Sequence, residues 1–145
     1  MKKIKINIMK AKSVCMTLPE YKTQDSAGCD LMNIGGAKRI LPFEREYFHT
    51  GVYIQLPEGY EAQVRGRSGL KRYYGIVVPV GTIDADYRGE VGVVVYNLSR
   101  EPYTVQPMER IAQLVISPVV QAEWQLVESL DETERGEGGF GSTGK

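Results

Sequence analysis

Apolar and polar residues alternate from the start of the chain: Ile4, Ile6 and Ile8 are interleaved with Lys3, Lys5 and Asn7. A period of two sends the two sets to opposite faces of an extended backbone, which predicts a half-buried strand. Val52, Ile54 and Leu56 repeat the pattern, Pro57-Glu58-Gly59 supplies a turn, and Ala62 and Val64 alternate with Glu61, Gln63 and Arg65 on a return strand. Gly75 to Val80 and Val91 to Tyr96 are β-branched runs, the second read as buried on both faces. Ile111 to Val120 is another apolar run; Pro118 within it has no N–H to give a ladder, so it is expected to reach a sheet edge. Ala122 to Leu130 reads as a last strand, and Arg100-Glu101-Pro102 and Gln106-Pro107-Met108-Glu109 read as turns. No segment sustains a helical period. The one helix candidate is Ser68 to Tyr74, with Ser68 as its N-cap. Many short strands with regular turn signals predict an all-β sandwich, jelly roll or barrel.

The length, 145 residues, suits one domain with a sizeable core. The apolar pattern stops after Leu130, and Arg135 to Gly144 holds five glycines. Residues 1–130 are therefore expected to form the body, and residues 131–145 a mobile arm that cannot build a core by itself. Eighteen basic residues balance eighteen acidic ones. That argues against bulk attraction to nucleic acid or to an anionic membrane. No run of apolar residues is long enough to span a bilayer, and the N-terminus lacks the apolar stretch of a signal peptide. Cys15 and Cys29 form neither a disulfide framework nor a metal-ligand spacing, so a cytoplasmic protein with reduced thiols is expected.

Five short segments carry candidate chemistry. In Gly66-Arg67-Ser68-Gly69-Leu70 a glycine turn opens the short helix; its N–H groups, the Arg67 fork and the Ser68 hydroxyl suit an anion, although a capped helix start with a surface arginine has the same look. Gly81 to Glu90 lies between two strong strands and is expected as a wide hairpin. Asp84 there could orient or deprotonate a water, or could satisfy local N–H groups as turn aspartates do. In Arg135 to Gly144, Arg135, Ser142 and Thr143 are phosphate-binding types and Phe140 is an aromatic face that could cover a base; a flexible tail is the plainer reading. Glu109-Arg110-Ile111-Ala112-Gln113-Leu114 is a turn leading into a strand, with Gln113 unremarkable alone. In Ser26-Ala27-Gly28-Cys29-Asp30-Leu31, Asp30 could reach a hydrated cation or serve a turn.

The order of these segments is more specific than any one of them. Ala27 to Leu31, Arg67 to Leu70, Gly81 to Glu90, Arg110 to Leu114 and Arg135 to Gly144 closely resemble the five ordered motifs of the trimeric deoxyuridine triphosphatases (dUTPases). The resemblance implies a jelly-roll-like β-clip, a homotrimer with shared active sites, and Mg²⁺-assisted hydrolysis of dUTP to dUMP and pyrophosphate. It implies that Asp84 bonds the sugar 3′-hydroxyl and positions the attacking water, that Gln113 contacts phosphate or water, and that the backbone near Thr82, Ile83 and Gly92 reads the uracil edge. Tyr87 would pack under the deoxyribose, and Arg67, Ser68 and Gly69 would hold phosphates. Arg135, Gly141, Ser142 and Thr143 would grip the distal phosphates from the arm of another subunit, with Phe140 over the uracil. Asp30 would touch the metal through water only. Four places depart from the commonest pattern: Gly66 stands where proline is frequent, Met108 where glycine usually starts the fourth motif, Lys71 to Tyr74 is more basic and aromatic than usual, and Val78 stands where many bacterial members carry asparagine against the base.

The competing readings are a dCTP deaminase-like enzyme, a nucleotide-responsive binding protein that holds a partner, and a β-domain with unrelated turns. The complete glycine-rich segment argues against the first, and the lack of an inserted docking domain against the second. His49, the single histidine, is read as a mid-strand structural residue, Trp124 as core or subunit interface, and Tyr73 and Tyr74 as packing residues.

Overall fold

A computed structural model describes residues 3–11 and 18–139. Eleven strands and one short helix succeed one another in it: β1 (Asn7–Lys10), β2 (Gly28–Met32), β3 (Lys38–Ile40), β4 (Arg45–Phe48), β5 (Val52–Gln55), β6 (Tyr60–Gly66), α1 (Ser68–Tyr74), β7 (Ile76–Val77), β8 (Gly81–Ile83), β9 (Val93–Asn97), β10 (Tyr103–Val105) and β11 (Arg110–Pro118). The all-β expectation holds. Four antiparallel sheets have the orders β1-β5, β10-β3, β2-β11-β6-β8 and β4-β9-β7.

β11 is the spine of the largest sheet because its apolar residues meet strands on both edges: Leu114 faces Cys29 on β2 and Val64 on β6. An irregularity between Arg110 and Ala112 in the β2 pairing accompanies burial of both Ile111 and Ala112, which strict alternation would forbid. The core gathers Leu31, Ile40, Phe48, Val52, Val91, Val93, Val95, Val105 and Ile111, each at most 1% exposed. β9 has one outward residue, Val94 at 39% exposure, so it is not buried on both faces as its composition suggested. α1 spans the expected residues, but its cap is Arg67 in extended conformation without a side-chain bond, and Ser68 is the first helical residue. Gly75 ends it in the left-handed region at φ 67°.

Two expectations fail in instructive ways. β7 and β9 do pair, Ile76 with Asn97 and Val77 with Tyr96, yet the residues between them are no simple hairpin. Gly81–Ile83 crosses to the four-stranded sheet and adds to β6 as its edge strand. Ala122 to Leu130 is not a strand: residues 119–130 carry no ladder, and Val120, Trp124, Leu126 and Leu130 are 87–99% exposed. A strand needs a partner, and the segment pairs with no edge among the described residues.

Candidate active site

The excursion from β7 to β9 opens a cleft of about 280 Å³ lined by Tyr47, Thr82, Ile83, Asp84, Tyr87, Glu90 and Gly92. β8 is a terminal strand, so half of its backbone donors and acceptors have no ladder partner. The turn after it is closed by the Tyr87 N–H donating to the Asp84 carbonyl at 3.2 Å. Arg88 braces the turn from outside, its guanidinium donating to the carbonyls of Ala85 (2.7 Å) and Tyr87 (2.9 Å). Asp84 is thereby held exposed at the lip of the cleft. The Tyr87 ring folds over Gly89, where a β-carbon would collide with it, and its hydroxyl donates to the Glu90 carbonyl at 3.1 Å.

Two lining residues, Tyr47 and Glu90, were not singled out from the sequence. The Glu90 carboxylate accepts the Gly51 N–H at 2.7 Å and lies 2.7 Å from Nδ1 of His49. Burial alone would raise its pKa; bonds from His49 and Gly51 outweigh that and hold it below the ordinary glutamate value. Tyr47 lies so close to Gly92 that any β-carbon there would overlap the phenol, and its ring meets His49 edge-on at 5.0 Å. Burial first, then the negative charge of Glu90, raises the Tyr47 pKa, so the phenol keeps its proton. His49 is therefore neither mid-strand nor without a partner: it follows β4 and pairs with Glu90. No sequence spacing links Tyr47 to Gly92; the β4–β9 pairing does.

The remaining candidates collect elsewhere. Register aligns Asp30 (β2), Gln113 (β11) and Arg65 (β6) across one face of the four-stranded sheet. Gln113 donates from Nε2 to the Gly66 carbonyl at 3.0 Å, passing over Gly28, where a β-carbon would lie 2.7 Å from its Oε1. Asp30 pairs with two guanidinium groups, Arg67 at 3.2 Å and Arg110 at 3.5 Å, and Arg67 also donates to the Arg110 carbonyl at 2.9 Å. Ser68 and Gly69 are exposed beside this cluster. Helix amides of a first turn have no intrahelical acceptor, so the turn keeps its anion-binding chemistry. None of this second group lines the first cleft. Arg135 stands apart in a turn, donating from Nε to the Gly138 carbonyl at 2.7 Å. Phe140, Gly141, Ser142 and Thr143 lie outside the described residues. Val78 is buried with its backbone against Gly66.

The acidic groups bear on a metal. Among the described residues no three His, Cys, Asp or Glu side chains come together as ligands. Asp30 is one carboxylate whose charge is shared with two arginines. That donor set does not make a protein cage. It fits Mg²⁺ only as an ion that keeps its waters and is carried by substrate phosphates, with Asp30 at most an outer partner.

Comparison with known proteins adds a second line of evidence. A family model described as dUTPase matches residues 15–144. A deoxyuridine 5'-triphosphate nucleotidohydrolase of Fusobacterium nucleatum is 48% identical, covering 100% of both chains. One of Ehrlichia canis is 50% identical over 97% of this chain and 95% of its own. The dUTPase of Staphylococcus bacteriophage 80alpha, solved with dUPNHPP, superposes with a TM-score of 0.88 at 28% identity, covering 97% of this chain and 99% of that one.

Proposed function

Because the chain belongs to the dUTPase family, we propose that it hydrolyses dUTP to dUMP and pyrophosphate by attack of water on the α-phosphate. Such a reaction in the cytoplasm keeps uracil out of DNA and supplies dUMP for thymidylate synthesis. The observation that carries the reading is one cleft lined together by Thr82, Ile83, Asp84, Tyr87 and Gly92. An unpaired strand edge beside a glycine offers backbone donors and acceptors to a base edge. The wrong base leaves such groups buried and unpaired, which can cost on the order of 10⁴-fold in selectivity. Tyr87, fixed through its hydroxyl, gives the sugar a flat wall with no room for a 2′-hydroxyl. Asp84 at the lip takes the sugar 3′-hydroxyl and orients the water, whose proton it is placed to accept.

Arg67, Ser68, Gly69 and Gln113 make the phosphate half of the site. Charge grows on phosphate oxygens during attack, so preorganised guanidinium and N–H donors supply much of the catalysis. Bound Mg²⁺ would neutralise triphosphate charge, with Asp30 meeting it through water. The second group does not line the cleft of its own chain, which supports a β-clip homotrimer whose sites are shared between subunits. The exposed apolar side chains of residues 120–130 support the same assembly. In it, residues 131–145 form the arm that closes a neighbour's site, with Arg135, Ser142 and Thr143 on the distal phosphates, Gly141 allowing close approach and Phe140 over the base.

The test is pyrophosphate release from dUTP, UTP, dCTP and dTTP, each with Mg²⁺ and with a chelator. Metal-dependent release from dUTP alone is the expected result. Silence with all four would leave a nucleotide-binding protein, and ammonia from dCTP a deaminase.

A further inference from the structure

Uracil and thymine present the same hydrogen-bonding edge, so a backbone that reads uracil cannot by itself refuse thymine. The 5-methyl group has to meet a wall. The cleft has two large flat side chains, Tyr47 and Tyr87. Tyr87 is committed by its hydroxyl to the Glu90 carbonyl and by its ring to Gly89. Tyr47 lies against Gly92 and lines the same cleft as Thr82 and Ile83, the residues whose backbone is read as meeting the base.

We propose that Tyr47 is a specificity-determining residue that closes the base end of the cleft against a 5-methyl pyrimidine, and that Glu90 and His49 are positioning residues that hold it there. This rests on the reading of the cleft as the nucleoside end of a dUTP site. Tyr47 is anchored at both ends. Its backbone sits in the β4–β9 ladder opposite Val94, and its carbonyl accepts the Lys38 ammonium at 2.8 Å. Its ring rests edge-on against His49, whose imidazole is fixed on Glu90. Glu90 thus serves both tyrosines: its carbonyl holds Tyr87 and its carboxylate, through His49, backs Tyr47. A rigid wall refuses a methyl group; a ring free to swing would not, which is why the support behind the ring is part of the same device.

The experiment compares kcat/KM for dUTP, dTTP and dCTP in the full-length wild type, Tyr47→Phe, Tyr47→Ala and His49→Ala. Tyr47→Ala should raise the dTTP-to-dUTP ratio by roughly tenfold or more, the usual range for one methyl in a shaped pocket. Tyr47→Phe should keep the wild-type ratio. The dCTP-to-dUTP ratio should barely move, because the backbone edge still reads it. His49→Ala should shift the dTTP ratio in the same direction by less, and a fifth protein combining Tyr47→Ala with His49→Ala should not exceed Tyr47→Ala alone. Should Tyr47→Ala fail to fold, Tyr47→Leu keeps an apolar strand residue while opening the wall, and the same shift is expected. An unchanged dTTP ratio in an active variant overturns the proposal, as does an equal rise for dCTP, which would mean general loosening. A wild-type protein inert on dUTP would remove the functional reading itself and this inference with it.

Discussion

Asp84 shows how much one residue can be asked to do once its surroundings are known. It is exposed, its carbonyl closes the turn through Tyr87, and Arg88 braces that turn without touching the carboxylate. Replacing the carboxylate by an amide therefore leaves these supports of the turn in place. Asp84→Asn is expected to lower kcat by at least about 10²-fold, the loss typical of a missing general base, with little change in melting temperature. Equal loss of stability would make Asp84 structural. Met108 carries a different lesson. It and Phe43 occupy the left-handed region, at φ 61° and 64°, in matching Pro-X-Glu turns. A side chain there costs about 1–2 kcal/mol, part of which glycine's extra unfolded-state freedom cancels. Met108→Gly should raise the denaturant midpoint slightly, and a fall would show that the exposed methionine side chain contributes more than its backbone strain. Asp84 and Tyr87 were legible in the sequence because they fall inside a specific motif. Tyr47 was not, because its meaning depends on its contact with Gly92, 45 positions away in the chain.

At the scale of elements, period-two alternation located β5 and β6, and helix-compatible residues between two glycines located α1. What alternation cannot state is partnership. Gly75 to Val80 and Val91 to Tyr96 look like the arms of one hairpin and do pair through β7 and β9, but β8, in the segment between them, finds its edge on β6 in a different sheet, and the cleft lies along that excursion. The turns are fastened by a device used twice. Asn33 and Asn97 are buried, and each backbone carbonyl accepts the N–H of a left-handed turn residue, Met108 and Phe43 respectively, at 2.7 Å. Each side chain bonds further backbone: Asn33 donates to Gly36 and Gln106, Asn97 to Ile40 and Glu101. Oδ1 of each accepts an N–H two residues on, from Gly35 and Ser99. An alanine would strand several buried backbone groups at once. Asn97→Ala is expected to destabilise the fold by about 2–4 kcal/mol, since one unsatisfied buried group costs about 1–3 kcal/mol. Urea unfolding measures it; a change below about 0.5 kcal/mol, the scale of an ordinary surface substitution, would mean that water replaces the lost bonds.

For the whole molecule, the decisive feature is a segment that behaves as though part of its structure were missing. Residues 119–130 have the apolar alternation of a strand and none of its pairing. Trp124 is 91% exposed and Leu126 99%, although single exposed apolar residues are ordinary and a row of them is not. Trp124 was expected in the core or at an interface, and its exposure takes it out of the core of the chain. The same argument explains why this alternation could be read but not placed: residues 119–130 find no ladder partner among the described residues. Trp124 is the single tryptophan, so its fluorescence reports this one site. In a homotrimer its emission should be shifted to the blue in the native protein and move to the red on unfolding, and sedimentation should give the mass of three chains. Trp124→Glu places a charge in that contact and should lower the assembly's stability in a concentration-dependent way, because association and folding are then linked. Activity should fall with the trimer, since the nucleoside cleft and the phosphate cluster of one chain do not share a pocket. A monomer that remained fully active would require one chain to bring Asp84 and Gln113 to the same substrate, and would overturn the shared site.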